Sequence, residues 1–192
     1  MDERLYRSLK VAAVVLTLAW AGWTVYDSFV ADAEPGDGAY LAANKRFEDG
    51  DYKGALTEYE AALRENPEHL HALRGKARSL LQLERYPEAL EAFNAAIARA
   101  PEFGGSYANR GILFDRMGEY EKALADYEHA LRLDASVAEG PGWLTRFFRL
   151  QPEKPPTVAD RAGYLRRELA KPEGERVLRV PALDRQQRPY EM

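Results

Sequence analysis

Hydrophobic and polar positions follow one repeating pattern between residues 50 and 137. In each of three stretches, apolar side chains stand at i, i+1, i+4, i+7 and i+8, the spacing of a helix with one buried face. The stretches begin at Gly50, Glu84 and Gly118, 34 residues apart. Their apolar positions are Ala55, Leu56, Tyr59, Ala62 and Leu63, then Ala89, Leu90, Phe93, Ala96 and Ile97, then Ala123, Leu124, Tyr127, Ala130 and Leu131.

A second, weaker helical pattern precedes each of these stretches, at residues 39–47, 73–83 and 107–117. Each unit is therefore predicted to be a helical hairpin with an aromatic side chain over its turn, and Pro67 and Pro101 end the second helix of the first two units. The turn aromatics are Tyr52, Tyr86 and Tyr120. The predicted hairpins cover residues 36–69, 70–103 and 104–137.

This 34-residue period of paired helices resembles the tetratricopeptide repeat, over residues 36–137. The resemblance rests on small residues in both helices and one aromatic in the second: Ala43, Ala77 and Gly111, then Ala55, Ala89, Ala123, Ala62, Ala96 and Ala130, with Tyr59, Phe93 and Tyr127. It implies an all-α, right-handed solenoid of three hairpins whose first helices line a concave surface that binds a partner protein.

Two positions depart from the pattern of that family. Arg46 stands where a large apolar residue is usual, so we expect the first helix of repeat one to be exposed or shifted, with Phe47 compensating. Ala135 replaces the usual proline, so we expect the second helix of repeat three to continue toward Val137.

The last repeat needs a cover for its apolar face, and residues 138–151 are predicted to supply a capping helix. Trp143, Leu144, Phe147 and Phe148 share one face of that helix. The alternative is that these side chains form an exposed docking patch.

Residues 152–192 are predicted to form a stiff proline linker, a helix and an extended C-terminal tail. Thr157 is the expected N-cap of a helix that runs to about Ala170, with Arg161, Arg166 and Arg167 on its solvated side. From Pro172 onward the tail either lies along the protein's own surface or binds a partner and becomes ordered on contact.

An apolar run near the N-terminus predicts a membrane segment over residues 11–30, between a positive segment at 1–10 and a linker at 31–35. Val11, Leu16, Leu18, Trp20, Trp23 and Tyr26 are the anchor residues, and the aromatics near its end favour a retained anchor. A cleavable signal peptide is the alternative, because Ala31-Asp32-Ala33 matches a cleavage pattern. Three cations precede the apolar run, namely Arg4, Arg7 and Lys10. Their position predicts that the N-terminus lies in the cytoplasm and that most of the chain, after the run, lies in the periplasm.

Composition excludes several classes of partner and of reaction for this chain. A net charge of −4 without a basic stripe argues against nucleic-acid partners, and the absence of cysteine excludes disulfides and thiolate chemistry. His69 and His71 are two residues apart near a turn, where a helical metal pair needs a spacing of four, so they are read as solvated. We therefore predict no catalytic residue, no metal, no cofactor and no small-molecule substrate.

The concave surface is the candidate binding site, lined by Tyr40, Asn44, His71, Arg74, Arg78, Asn109, Ile112 and Asp115. Arg74 and Arg78, one helical turn apart, are suited to gripping a carboxylate or a carbonyl, although an ordinary solvated face is the alternative.

The functional hypothesis is a non-enzymatic, membrane-anchored scaffold that binds a protein partner, itself associated with the membrane, while an envelope complex assembles. The alternatives are a tethered receptor that faces the cytoplasm, and an accessory subunit of a membrane enzyme or of a larger membrane machine. In the machine, Ala19 and Gly22 would form a small-residue strip for helix packing.

Overall fold

The computed structural model describes residues 3–26, 34–140 and 155–180, and within these ranges all regular structure is helical. Eight α-helices follow in chain order. They are α1 Glu3–Tyr26, α2 Asp37–Glu48, α3 Tyr52–Glu65, α4 Leu70–Gln82, α5 Tyr86–Arg99, α6 Gly104–Met117, α7 Tyr120–Leu133 and α8 Val158–Leu169. Short 3₁₀ turns occupy Ala135–Ala138 and Glu173–Glu175.

Helices α2 to α7 pair as three hairpins, α2 with α3, α4 with α5, and α6 with α7. Each hairpin packs on the next through α3 against α4 and α5 against α6, and the first helices also contact one another, α2 with α4 and α4 with α6. The predicted all-α stack of three hairpins is confirmed. Because the first helices are mutual neighbours, they form one continuous face of the stack.

The core of the stack lies between the alanines and the aromatic of each second helix. Tyr59, Phe93 and Tyr127 are fully buried. Glycines on first helices make room for two of these rings, since a Cβ on Gly75 would lie 2.2 Å from the Tyr59 ring and one on Gly111 would lie 2.6 Å from the Tyr127 ring. Close helix packing therefore depends on small residues, at Gly111 as the sequence pattern indicated and at Gly75, which the pattern did not single out.

The two departures from the repeat pattern have different outcomes. Arg46 is exposed and ion-paired with Asp51 at 3.0 Å and Glu58 at 3.5 Å, while the half-buried Phe47 ring packs 5.1 Å from that of Tyr52. The first helix of repeat one thus forms with the compensation we expected.

The expected continuation of the second helix of repeat three is wrong. Helix α7 ends at Leu133 because Asp134 is extended, with φ −146° and ψ 105°. The Asp134 carboxylate accepts a hydrogen bond of 2.8 Å from the Ser136 N–H, which starts a 3₁₀ turn instead of another turn of α-helix.

Helix α8 packs against α7 and the 3₁₀ turn after it, burying Val158, Ala162 and Leu165. Thr157 is its N-cap, as predicted, in a capping box with Asp160. The described end of the repeat stack is therefore covered by α8. Residues 141–154, which hold Trp143, Leu144, Phe147 and Phe148 of the predicted capping helix, lie outside the described residues.

Residues 176–180 form an extended segment that lies along α8. The Val177 N–H donates to Glu168 Oε2 at 2.9 Å, and the Tyr164 hydroxyl donates to the Val177 carbonyl at 2.6 Å. This part of the tail follows the protein's own surface, and residues 181–192 lie outside the described residues.

Helix α1 presents only exposed side chains where they are described. Its portion Tyr6–Tyr26, 21 residues, is long and apolar enough to cross a membrane, a property that a signal sequence at an N-terminus shares.

Candidate functional site

We call the surface formed by the first helices α2, α4 and α6 the groove face. The sequence analysis predicted eight candidate residues on this face, and each of the three helices carries some of them. They are Tyr40 and Asn44 on α2, His71, Arg74 and Arg78 on α4, and Asn109, Ile112 and Asp115 on α6. The structure brings the residues of α2 and α4 together around two arginines.

Aromatic rings support both arginines. The Arg74 guanidinium carbon lies 3.8 Å from the centre of the Phe103 ring, and that of Arg78 lies 4.3 Å from the centre of the Phe47 ring. Stacking on a ring orients a guanidinium without neutralising its charge. Neither ring was predicted to take part in the site, and the sequence carries no signal for them beyond their aromatic character.

Arg74 is a buried cation with little local compensation. It is 4% exposed, its Nε has no hydrogen-bond partner, and among the described residues it makes no ion pair. Burial lowers the pKa of Arg74 below its ordinary value, and the negative charge of Glu102 opposes that effect. A buried, incompletely satisfied guanidinium is an energetically costly group, and an anion bound beside it would relieve the cost.

The two histidines have different roles. His69 is buried and caps α4, because its Nδ1 accepts from the Ala72 N–H at 3.2 Å. Its Nε2 lies 3.1 Å from Asp37 Oδ1, so a neutral ring with the proton on Nε2 satisfies both contacts. The reading of His69 as a solvated residue is wrong, because a side-chain acceptor was needed to start α4.

His71 faces solvent at the edge of the arginine pair. Partial burial, followed by the positive charge of Arg74, lowers the pKa of His71 below its ordinary value. The Tyr40 ring lies 5.0 Å from that of His69 and 6.0 Å from that of His71. His71 is therefore neutral near pH 7 and offers a hydrogen-bonding group at the groove face.

The side chain of Asn44 is hydrogen-bonded to a buried residue. Its Oδ1 accepts a hydrogen bond of 2.6 Å from the buried Tyr59 hydroxyl, whose pKa burial raises to about 12. The amide N–H2 group of Asn44 can donate to carbonyls or carboxylates of a ligand.

The three candidates on α6 are interior residues and require a correction. Asn109 is 0% exposed and Ile112 1%, and Ile112 belongs to the main apolar core. The Asp115 carboxylate is buried as well and accepts two hydrogen bonds of 2.7 Å from Arg161. These side chains do not form an open surface, because Ile112 packs into the core and Arg161 of α8 covers Asp115.

Arg161 itself was predicted on the solvated side of its helix, and this is also wrong. It is buried, where it pairs with Asp115, which also accepts from the Tyr127 hydroxyl at 3.2 Å. Its neighbours Arg166 and Arg167 are exposed as expected, and Arg166 pairs with Glu128 of α7 at 2.8 Å.

A metal-binding cluster is absent from the residues that the structure describes. They contain no group of three or more histidine, aspartate or glutamate side chains close enough to hold a metal ion. The chemistry of the groove face is thus that of cation, amide and aromatic contacts.

Two family models match the chain, at residues 40–102 and 106–136, and both are described as tetratricopeptide repeat. Curated relatives include the Hsp70-Hsp90 organizing protein of Triticum aestivum, 31% identical over 114 residues, 59% of this chain and 19% of that protein. Stress-induced-phosphoprotein 1 of Caenorhabditis elegans is 29% identical over 140 residues, 73% of this chain and 42% of that protein. The chain thus spans about a fifth to two fifths of these relatives.

Solved structures with a similar fold include the first TPR of Spaghetti (RPAP3) bound to the HSP90 peptide SRMEEVD, with a TM-score of 0.57 and 19% identity over 74% of this chain and 99% of that one. The TPR2B domain of yeast Sti1, in a complex with pHsp70, has a TM-score of 0.51 and 26% identity, and the match covers 60% of this chain and 92% of that one. MamA 41-end from Desulfovibrio magneticus RS-1 has a TM-score of 0.51 and 20% identity, and the match covers 89% of this chain and 99% of that one.

Proposed function

We propose that this chain, which carries tetratricopeptide repeats at residues 40–102 and 106–136, is a protein-binding scaffold that holds an extended acidic segment of a partner against its groove face. The observation that carries the proposal is Arg74, a buried guanidinium with an unpaired Nε and no ion pair among the described residues.

The arrangement around Arg74 suits carboxylates. Arg74 and Arg78 lie one turn apart on α4, each held against an aromatic ring, so both guanidinium planes are oriented before a ligand arrives. A carboxylate can take two parallel hydrogen bonds from a guanidinium, and fixed donors reduce the ordering cost of binding. The amide of Asn44 and the ring of His71 add neutral contacts on either side.

The similar proteins support this choice of ligand. The HSP90 peptide in the complex of the first TPR of Spaghetti, SRMEEVD, carries three acidic side chains. At 19% identity that likeness concerns the fold, but the charge of the peptide complements the two arginines of this chain. We therefore propose an acidic peptide rather than an apolar helix as the ligand.

We further propose that α1 tethers the scaffold to a membrane, where it serves the assembly of an envelope complex. The apolar span Tyr6–Tyr26 supports the tether, and the cations before it support a cytoplasmic N-terminus with the repeats in the periplasm. Confinement near a membrane raises the effective concentration of membrane-bound partners, so a modest affinity suffices. Reporter fusions after residue 40 test the orientation, and reporter activity on the cytoplasmic side would contradict it.

The binding experiment uses the full chain in detergent and a fluorescent peptide SRMEEVD. Replacing both arginines, Arg74→Gln with Arg78→Gln, should weaken binding by about tenfold or more, because each charge-assisted hydrogen bond contributes about 1.5–3 kcal/mol. The peptide SRMQQVN, which has no acidic side chain, should bind the unmodified chain comparably weakly.

A matched control removes two exposed cations from second helices, Arg64→Gln on α3 with Arg132→Gln on α7. It changes the net charge equally and should leave the affinity unchanged. Circular dichroism verifies that each variant is folded. Equal affinity of the unmodified chain and the Arg74/Arg78 variant would reject the proposed site.

A further inference from the structure

A titratable ring lies directly beside the arginine that carries the proposed site. His71 stands three residues before Arg74 on α4, so the two side chains are neighbours on one face of the helix. His71 is exposed, whereas Arg74 is buried and its Nε has no hydrogen-bond partner. The His71 ring can therefore exchange a proton with solvent next to a fixed positive charge.

The charges around His71 favour its neutral form in the free chain. Burial, and then the positive charge of Arg74, lowers the pKa of His71 below its ordinary value, while the charge of Asp37 acts in the opposite direction. The titratable and charged groups near the ring are Tyr40, whose ring is 6.0 Å away, and Asp37 on α2, His69 before α4, whose ring is 6.4 Å away, Arg74 on α4, and Glu102 before α6, which acts on Arg74. Arg74 is thus the charged neighbour that most opposes a proton on His71.

The other two histidines are not suited to the same role. Both ring nitrogens of His69 have contacts, Nδ1 with the Ala72 N–H and Nε2 with Asp37, so a proton added to Nδ1 would displace the cap of α4. The ring of His71 has no hydrogen bond with a described residue, so a proton added there breaks no such bond. His129 lies on α7, a second helix, where its Nδ1 is 3.1 Å from a nitrogen of Arg132.

We infer that an anion bound to Arg74 is accompanied by uptake of a proton at His71, so that the groove face holds an acidic segment more tightly as the pH falls. The dependence on an acidic segment rests on the proposed function. The coupling between Arg74 and His71 does not rest on it, because it follows from the positions of the two side chains on α4.

The direction of the effect follows from linkage. A carboxylate paired with Arg74 offsets the charge that opposes protonation of His71, and it attracts the proton as well, so binding raises the pKa of His71. A ligand that favours the protonated ring must in turn bind the protonated chain more tightly. The gain in affinity therefore begins as the pH falls through the pKa of the bound chain and levels off below that of the free chain.

The coupling is tested without any peptide, by an NMR titration of the His71 ring in the full chain in detergent. His71→Gln assigns the signal. We expect the ring to take up its proton at a higher pH in Arg74→Gln, and to titrate as in the unmodified chain in Arg74→Lys, which keeps the charge. Arg132→Gln removes the same charge from an exposed position on α7 and should leave the His71 titration unchanged. An unchanged titration in Arg74→Gln, or an equal shift in Arg74→Lys, would overturn the inference.

The effect on binding is tested with the peptide SRMEEVD, labelled at its amino terminus, at pH 7.5 and pH 5.5. The ordinary pKa values of Asp and Glu, about 4, keep the peptide ionised at both. We expect binding to be about fivefold tighter at pH 5.5, at the lower end of the usual coupling between two sites. His71→Gln should abolish this gain, and His129→Gln should keep it. A gain that persists in His71→Gln would overturn the inference.

Failure of the inference and failure of the proposed function give different results. Equal affinity of the unmodified chain at both pH values overturns the inference and leaves the proposed function in place. If the peptide binds at neither pH while the titration of His71 still depends on the charge of Arg74, the acidic ligand is rejected and the coupling of the two side chains stands.

Discussion

At the scale of single residues, one backbone position recurs in the turn of every hairpin. Gly50 and Gly118 adopt the left-handed conformation there, with φ of 80° and 79°. The equivalent residue of repeat two is Glu84, with φ 58°, and it is the only non-glycine residue with positive φ in the part of the chain that the structure describes. A side chain in this conformation costs roughly 1–2 kcal/mol, so repeat two contains local strain that the other repeats avoid.

Replacing Glu84→Gly should therefore raise the free energy of unfolding. The strain relieved exceeds the entropy that glycine adds to the unfolded chain, which leaves a net gain of about 0.5–1 kcal/mol. The converse change, Gly118→Ala, should lower stability by about 1 kcal/mol. Urea unfolding followed by circular dichroism measures both, and a loss of stability in Glu84→Gly would show that the glutamate contributes more than its backbone costs.

At the scale of helices, a buried ion pair joins α8 to the repeats. Arg161 of α8 donates two hydrogen bonds of 2.7 Å to the carboxylate of Asp115 of α6, and both side chains are almost fully buried. The pair accompanies an apolar contact made by Val158, Ala162 and Leu165. The apolar contact supplies most of the attachment, and the ion pair determines where along α6 the helix is placed.

Replacing Asp115→Ala should destabilise the chain by about 3–5 kcal/mol, because it removes the carboxylate that balances the charge of the buried Arg161 guanidinium. The exposed pair between Arg166 and Glu128 is the control, and Glu128→Ala should cost less than about 1 kcal/mol. The double replacement Asp115→Leu with Arg161→Met should recover most of the loss, since no buried charge remains. Urea midpoints test the series, and equal effects of the two single variants would contradict it.

At the scale of the whole molecule, the described parts of the chain form a stack of three hairpins closed by α8, and a separate apolar helix. The elements from α2 to α8 are connected by successive packing contacts. Helix α1 instead presents exposed side chains wherever they are described. We therefore expect the repeat stack to fold independently of the apolar helix.

Removing residues 1–33 should leave the repeats as stable as before. We expect the thermal midpoint to stay within about 2 °C, a shift smaller than a change of 1 kcal/mol would produce. We expect the full chain to sediment with membranes after cell lysis and the truncated chain to stay in the supernatant. A marked fall in the midpoint would show that α1 packs against the repeats, and membrane sedimentation of the truncated chain would place the attachment elsewhere.

Local periodicity was sufficient to predict the repeats. The spacing of Ala55, Tyr59 and Ala62 and its recurrence 34 residues later required a buried helix face, and the structure has these helices and these buried rings. Thr157, as an N-cap residue, likewise predicted the start of α8. Such features depend on residues within a few positions of one another, which is why a sequence pattern reveals them.

The candidate site was only partly predictable. The sequence determined that Arg74 and Arg78 share a face of one helix, but only the tertiary structure decided that Phe103 and Phe47 support them. Likewise, a helical pattern assigned Arg161 to the solvated side, and its partner Asp115, 46 residues earlier, buries it. A single sequence reports the face on which a side chain lies and not what packs against that face, because long-range contacts leave no periodic trace in the chain.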